Sequence, residues 1–301
     1  MRVAAIDLGS NSFLQLIADV EEGKIIQVIS DEVEITRLAQ DVNQNKKLHP
    51  EALQRAEKCF QVFHSVAQKF HVDKSIAVAT SAARDSSNSE ELIELGKKYG
   101  IKIYVIDGPT EAQLSFSGAT YDEPYKKEMM IVDVGGGSTE FLSKSQQDSV
   151  SAVSIDVGCV RLYELFWKED PISSSHLIEM KHYIRKSLQS YFPSPESVFK
   201  MLAVAGTPTT LACLEIGEEF NEQKIEGMEI TKMEIELWEQ KLCQHDVLAR
   251  KSLPGMPAKR ADVIGVGAVI LNEAMDHFST KKLVVTTKGV RHGLAMEHLQ
   301  F

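Results

Sequence analysis

The sequence predicts an α/β protein made of two related domains. Short apolar strands alternate with amphipathic helices along the chain, which is the pattern of α/β folds. Residues 5–16 align with residues 131–142 at an offset of 126, and residues 77–81 align with residues 203–207 at the same offset. Two matches that share one offset indicate a duplicated domain.

The domain boundary is predicted in the polar stretch 121–128, which contains charges and a proline but no apolar periodicity. A chain of 301 residues is long enough for two domains that each bury a core. We therefore predict an N-terminal domain at 1–123 and a C-terminal domain at 124–301, with a final helix at 289–301 able to pack back on the first. The predicted functional site lies in the cleft between them.

Each predicted element has a local reason. Apolar residues recur every three or four positions in the predicted helices, whereas the strands are short apolar runs that end in glycine, serine or asparagine. In the first domain the pattern predicts strands at Ala4–Leu8, Phe13–Asp19, Ile76–Ala79 and Ile101–Ile106, and helices at Glu51–Phe70 and Ser89–Tyr99. In the second it predicts strands at Met130–Val134, Thr139–Ser143, Leu202–Ala205 and Leu283–Thr286, and helices at Ser174–Tyr191, Thr231–Arg250 and Lys259–His277.

Composition restricts the function classes. The chain has 33 Lys and Arg against 43 Asp and Glu, for a net charge of −10, which argues against a general nucleic-acid-binding protein. No apolar run approaches the length of a membrane span. Asp7 precedes any possible signal-peptide core, and the four cysteines form no CxxC pair. We therefore expect a cytoplasmic protein with buried, reduced thiols and no membrane partner.

Two repeated loops carry the clearest chemical signal. Asp7–Ser12 and Asp133–Thr139 each place one carboxylate at a strand end, before a turn of small residues. Small residues let the backbone N–H groups approach a phosphate, and a nearby carboxylate can bind Mg²⁺. A plain β-hairpin with a glycine turn is the alternative. Because the same loop occurs in both halves of the chain, a phosphate site is favoured over a plain hairpin.

These loops resemble the strand–turn–strand elements of actin, sugar kinases and chaperone ATPases. The resemblance implies two duplicated ribonuclease H-like domains of the actin type. Within that superfamily the chain resembles the exopolyphosphatase/guanosine pentaphosphate phosphohydrolase family. The shared sequence words, in family order, are at residues 5–12, 79–84, 108–112, 133–140, 158–162, 205–207, 260–262 and 289–293.

The resemblance implies that Glu111 is the base that activates the attacking water and that Arg84 contacts phosphate. A carboxylate can orient a water in line with the leaving oxygen and accept its proton. From the sequence alone, the favoured interpretation of Glu111 is a helix N-terminal glutamate stabilised by the helix dipole. The surrounding family word favours the catalytic role.

Further site residues are predicted from the loops and from the basic residues near family words. Asp7, Asp133 and Glu140 are the candidate ligands of Mg²⁺ or another divalent cation. The predicted phosphate-binding residues are Ser10, Asn11, Ser12, Gly135, Gly136, Gly137, Ser138, Gly206, Thr207, Arg161, Arg260 and Arg291, with Lys288 near the last. Each of these basic residues could instead form a surface ion pair.

The expected activity is release of terminal orthophosphate from inorganic polyphosphate, and from guanosine pentaphosphate, with Mg²⁺ and water. Expected partners are therefore polyphosphate and guanosine penta- or tetraphosphate, and a homodimer is compatible with the sequence. Two alternatives stay open: a kinase of the same fold, and a non-enzymatic sensor of guanosine tetraphosphate or polyphosphate. A sensor would not need a base such as Glu111, and no purine-binding loop is evident for a kinase.

Overall fold

A computed structural model describes residues 1–121, 129–144, 150–195, 198 and 200–298 of the chain. The chain divides into two compact units, one formed by Met1–Pro124 with Lys288–Phe301 and the other by Tyr125–Thr287. The predicted boundary stretch lies, apart from Tyr121, outside the described residues. Lys288–Phe301 is thus grouped with the first unit rather than with the second.

The first unit contains a mixed five-stranded sheet covered by helices. Its strands are β1 (Arg2–Leu8), β2 (Ser12–Glu21), β3 (Lys24–Ile35), β4 (Lys74–Ala79) and β5 (Lys102–Val105), in the order β3-β2-β1-β4-β5. Its first helices are α1 (Val42–Asn45), α2 (Pro50–Lys69), α3 (Ser81–Arg84), α4 (Ser89–Lys98) and α5 (Gly108–Thr120). The apolar face of α2 packs on the sheet, where Phe60 stacks on Phe13 of β2.

The second unit repeats this plan with one added strand. Its strands are β6 (Met129–Val134), β7 (Thr139–Lys144), β8 (Val150–Ile155), β9 (Lys200–Val204), β10 (Glu229–Thr231) and β11 (Lys282–Val285), in the order β10-β11-β9-β6-β7-β8. Its helices are α6 (Cys159–Phe166), α7 (Ser174–Tyr191), α8 (Gly206–Ile216), α9 (Glu222–Ile225), α10 (Lys232–Gln244), α11 (Val247–Lys251) and α12 (Ile264–His277), with a 3₁₀ helix at Ala258–Arg260.

The strand registers confirm the duplication. Asp7 lies opposite Val78 in the parallel β1–β4 pair and opposite Leu14 in the antiparallel β1–β2 pair. In the second unit Asp133 lies opposite Val204 and Glu140 in the corresponding pairs. Each second-unit partner stands 126 positions after its counterpart, so the sequence offset is also the structural offset. The predicted duplicated α/β architecture is therefore confirmed.

Two differences from the predicted elements have physical causes. The helix predicted at Thr231–Arg250 is two helices, because the Asp246 carboxylate accepts a hydrogen bond from Ala249 N at 2.7 Å and caps α11. The helix predicted from Lys259 begins at Ile264, after the 3₁₀ turn. Strands β3, β8 and β10 were not predicted. β3 is an exposed edge strand with too many polar residues for an apolar run.

The last helix, α13 (Val290–Met296), belongs to the core of the first unit. Val290, Leu294 and Ala295 are buried in one apolar cluster with residues of β1, β2 and β4. At the crossing with α5, a Cβ on Gly118 would lie 2.0 Å from the Gly289 carbonyl oxygen. Glycine is therefore needed for the two backbones to approach this closely.

Replacing Gly118 by alanine is expected to lower the free energy of unfolding by about 1–3 kcal/mol, because the added methyl meets backbone atoms that cannot rotate away. Thermal denaturation measures the effect. Gln113→Ala, an exposed change on the same helix, is the control. Equal melting temperatures for the two variants would contradict the close crossing.

The cysteines and the apolarity of the helices were also considered in the sequence analysis. All four cysteines are buried and form no disulfide. Burial raises the pKa of the Cys159 thiol to about 11, which keeps it protonated at neutral pH. Among the described residues, no helix is both long enough and apolar enough to span a bilayer.

Candidate active site

Most of the predicted site residues lie at the end of a parallel strand or in the segment after it, at one edge of each sheet. In the first unit β1, β4 and β5 are parallel, and they lead into Asp7–Ser12, into α3 and into α5. In the second unit β6, β9 and β11 are parallel, and β6 and β9 lead into the glycine turn and α8. Ligands of open α/β sheets bind at this carboxyl edge. Each unit therefore has its own group of predicted residues at this edge.

The two predicted phosphate turns have the same backbone structure. Gly9 N donates to Ser12 O at 3.0 Å in the first unit, and Gly135 N donates to Ser138 O at 3.0 Å in the second. These hydrogen bonds join equivalent residues of the repeat. Both hairpins are therefore closed tightly just after the strand-end aspartate.

Helix α6 occupies the carbonyl groups of the second turn. Cys159 N donates to Gly135 O at 3.0 Å, and Val160 N donates to Gly136 O at 2.8 Å. The Nε atom of Arg161 donates to Gly137 O at 2.7 Å. Because the carbonyls bond to α6, the turn can present backbone N–H groups to an anion on its other side. Arg161 therefore fixes the turn with part of its guanidinium.

Glu111 and Arg84 form an ion pair in the first unit. Arg84 Nη1 lies 3.3 Å from Glu111 Oε2 and donates to the Ile106 carbonyl at 2.9 Å. Glu111 lies in the first turn of α5 and is 8% exposed. The pairing brings together the two residues that the family resemblance marks as base and phosphate contact.

The start of α5 is fixed by its cap. Asp107 accepts a hydrogen bond from Thr110 N at 2.9 Å, and hydrogen bonding with Thr110 holds the pKa of the Asp107 carboxyl below its usual value. Pro109 stands in the first turn, where a missing N–H does no harm. Glu111 is thereby carried on a helix end of defined position. The Ser10 hydroxyl, 2.8 Å from the Ser81 hydroxyl, links the first turn to α3.

The carboxylates of Asp133 and Glu140 are cross-strand neighbours in the second unit. The two residues are directly opposite in the antiparallel β6–β7 pair, where side chains lie on the same face about 5 Å apart at Cβ. Both are buried, and Ser154 Oγ donates to Glu140 Oε1 at 2.7 Å. In the first unit Leu14 stands at the position equivalent to Glu140, so only the second unit has this pair.

The donor set fits a hydrated Mg²⁺ ion. Mg²⁺ takes hard oxygen ligands and is usually held by one or two carboxylates together with waters and substrate phosphates. Within the described parts of the chain, no three His, Cys, Asp or Glu side chains form a complete metal cage. Asp133 and Glu140 would therefore hold the ion with solvent and substrate as further ligands.

Arg260 lies over the N-terminus of α8. A Cβ on Gly206 would be 1.6 Å from Arg260 Nη1, so the guanidinium rests directly on the Gly206 backbone. Burial lowers the pKa of this guanidinium, although it stays charged at neutral pH. Among the described residues it forms no hydrogen bond and no ion pair. Ala205, just before Gly206, has a φ of 75°, a strained conformation of the kind found at functional sites.

Three of the side chains predicted at or near the phosphate site, Thr207, Arg291 and Lys288, have contacts with other parts of their own unit. Thr207 packs against α12, where a Cβ on Gly267 would lie 2.6 Å from Thr207 Oγ1. Arg291 forms a bidentate ion pair with Asp31 of β3, at 2.8 and 2.6 Å. The Lys288 ammonium lies over the Tyr121 ring, 5.0 Å from its centroid.

The profile of the Ppx/GppA phosphatase family matches residues 16–300. The chain belongs to this family. The predicted family is thereby confirmed, and with it the predicted enzyme class, a phosphoanhydride hydrolase.

Individual family relatives match along the whole chain. Exopolyphosphatase 2 of Mycobacterium tuberculosis is 31% identical over 317 residues, which cover 98% of each chain. A bifunctional 3-dehydroquinate synthase/phosphatase of Fusobacterium nucleatum is also 31% identical, over 99% of this chain. This chain spans 46% of the length of that bifunctional protein.

Solved structures of the family have the same fold. The Ppx/GppA enzyme of Aquifex aeolicus is 29% identical, covers 99% of both chains and gives a TM-score of 0.81. An exopolyphosphatase from Cytophaga hutchinsonii is 25% identical, covers 100% of this chain and 98% of its own, and gives a TM-score of 0.89. The predicted fold class, two duplicated actin-like α/β domains, is confirmed.

Sequence reasoning missed the residues that hold the predicted Ppx/GppA site residues in place. Ser81, within a family word, bonds to Ser10, so its position next to Arg84 was a usable signal. Ser154 lies on β8, which carries no sequence pattern, and nothing in the sequence connects it with Glu140.

Proposed function

We propose that this chain is an exopolyphosphatase that releases terminal orthophosphate from inorganic polyphosphate and from guanosine pentaphosphate. The observation that carries the proposal is the Arg260 cation, which lies on the N-terminus of α8 without a carboxylate partner among the described residues. A partly buried cation that has no counterion among the described residues, beside a helix N-terminus, favours a multiply charged anion. The name of the Mycobacterium relative supports polyphosphate as that anion.

The glycine turn supplies a second group of donors to the same anion. Its carbonyls bond to α6 and Gly135 N bonds to Ser138 O, so the N–H groups of Gly136, Gly137 and Ser138 can donate to phosphoryl oxygens. An exposed lysine would bind any anion in solution. A fixed set of backbone donors with one arginine fork instead matches the tetrahedral oxygens of a phosphoryl group.

Glu111 is proposed to accept the proton of the attacking water. Its carboxylate is held by Arg84 through one oxygen, which restricts the orientation in which the carboxylate meets the water. Arg84 would then be placed to neutralise charge that develops on the phosphoryl group. Hydrolysis by in-line attack needs this combination of a positioned base and a nearby cation.

Asp133 and Glu140 are the proposed holders of Mg²⁺. When bound, the ion would neutralise charge on the phosphoryl oxygens. The protein's part is to present two carboxylates side by side, with Ser154 fixing the orientation of Glu140. The counterpart position in the first unit is a leucine, so the first turn would bind phosphate without this pair.

The deciding experiment measures phosphate release from long polyphosphate, short polyphosphate, guanosine pentaphosphate and ATP, each with and without Mg²⁺. We expect release from polyphosphate and guanosine pentaphosphate and little from ATP. Transfer of phosphate to an added sugar without net hydrolysis would support a kinase instead. Tight binding of guanosine tetraphosphate without turnover of any substrate would support a sensor.

A further inference from the structure

A short segment after β3 is held against the first phosphate turn. Thr36 N and Arg37 N donate to Asn11 O at 3.1 and 2.9 Å, and Ala39 N donates to Ser10 O at 2.9 Å. We call residues 36–39 the strap. It occupies the turn carbonyls of the first unit as α6 does in the second. No sequence pattern predicted it.

Arg55 of α2 braces the strap from the other side. Its Nε donates to Thr36 O at 2.6 Å, and its Nη2 donates to Arg37 O at 3.2 Å and to Gln40 Oε1 at 2.7 Å. Burial lowers the pKa of Arg55; the Glu51 carboxylate opposes this, whereas the positive charge of Arg37 adds to it. Two guanidinium groups therefore lie near each other beside the turn, in a chain with a net charge of −10.

Arg37 is held in an unfavourable backbone conformation. Its φ is 51°, in the left-handed region that favours glycine, yet its side chain is long and exposed. Strain of this kind persists only where the surroundings impose it, and it is concentrated at functional sites. Here Arg55 and the Asn11 carbonyl impose it, and together they set the position from which the arginine side chain leaves the strap.

Two buried polar groups beside Arg37 lack hydrogen bonds. Among the described residues, Asn11 Nδ2 and Thr36 Oγ1 have no partner, although these residues are only 7% and 2% exposed. The two residues are adjacent, since Thr36 N bonds to Asn11 O. A buried donor without an acceptor destabilises the folded protein. An oxygen-rich anion would satisfy both groups, because amide and hydroxyl groups donate to phosphoryl oxygens.

We propose that Arg37, Thr36 and Asn11 form a subsite for one phosphoryl group of the substrate chain, beside the Ser10–Ser12 turn. This inference rests on the proposed polyphosphatase function. Arg37 supplies a planar fork that donates two parallel hydrogen bonds to one phosphoryl group. Thr36 and Asn11 supply the neutral donors, and Arg55 is a positioning residue that holds the strap.

The first test removes the charge of Arg37. Arg37→Gln is expected to raise the KM for inorganic tripolyphosphate about tenfold and to weaken its equilibrium binding equally, with a smaller change in kcat. Lys46→Gln is the matched control, because Lys46 is also exposed, also left-handed with a φ of 52°, and tied to Ser87 rather than to the turn. It is expected to leave KM unchanged.

The second test uses the hydroxyl of Thr36. Thr36→Val keeps the shape and the backbone hydrogen bond but removes the unpartnered group, so the melting temperature is expected to stay equal or rise. Tripolyphosphate binding is nevertheless expected to weaken about fivefold. A merely structural threonine would lose stability and leave binding unchanged.

The outcomes separate the two proposals. If the wild type neither binds nor hydrolyses tripolyphosphate, both proposals are overturned. If the wild type hydrolyses it and Arg37→Gln and Thr36→Val bind it as the wild type does, only the subsite is overturned. Equal weakening by Arg37→Gln and Lys46→Gln would also overturn the subsite, since it would show a general charge effect.

Discussion

Replacing Glu111 by glutamine is expected to lower the rate of phosphate release by about 10²–10⁴-fold, while binding of tripolyphosphate stays close to that of the wild type. Glutamine has the shape of glutamate and can still accept the hydrogen bond from Arg84. It cannot take a proton from water at neutral pH. The loss should therefore fall on kcat rather than on KM.

Glu90→Gln is the matched control for this prediction, since Glu90 is an exposed glutamate in the first turn of another helix, α4. It should leave kcat unchanged. Melting temperatures of both variants would separate loss of the base from loss of folding, because Glu111→Gln also leaves Arg84 without its carboxylate. Near wild-type turnover by a folded Glu111→Gln enzyme would rule out Glu111 as the base.

The second large effect concerns the metal. Removal of divalent cations is expected to abolish phosphate release, and Asp133→Asn to raise the Mg²⁺ concentration for half-maximal activity by at least about tenfold. An amide oxygen carries no charge, so the pair formed with Glu140 would hold the ion weakly. Isothermal titration calorimetry with Mn²⁺ measures the affinity of the protein for the ion, and this measurement does not depend on turnover.

Asp276→Asn serves as the control here, because Asp276 is an exposed partner of Lys232 at the far end of α12. It should leave the Mg²⁺ dependence unchanged. Full activity in excess chelator would refute the metal requirement. An unchanged Mn²⁺ affinity of Asp133→Asn would show that the ion binds elsewhere.

The architecture could be predicted from the sequence because the two copies of the repeat keep the same strand pairing. Asp7 and Asp133 keep equivalent strand partners, so an alignment of short words predicted positions in two sheets. Arg84 and Glu111 were predicted only as two separate family residues, not as an ion pair. The two residues meet because they follow β4 and β5, which are neighbouring parallel strands, and a local sequence pattern does not predict which strands are neighbours.

The features of the site that the sequence did not predict depend on hydrogen bonds between segments that are distant in the chain. Nothing local distinguishes Arg291, which is bound to Asp31, from Arg260, which has no such partner in the described part of the chain; both are arginines near family words. The strap was likewise not predicted from the sequence. Its role follows from hydrogen bonds of backbone N–H groups and from the strained φ of Arg37, and neither depends on a recognisable residue pattern. Basic residues can be proposed from the sequence, but whether each one can reach a ligand depends on the ion pairs that it forms in the folded protein.

The position of α13 has a consequence for synthesis of the chain on the ribosome. The core of the first unit includes Val290 and Leu294, so the residues up to Pro124 emerge long before their last packing partners. At about 5–20 residues per second, this delay is roughly 10–30 s. During that time the apolar surface that later meets α13 stays uncovered. The nascent first unit is thus a natural client for chaperones, and the second unit can finish folding before it.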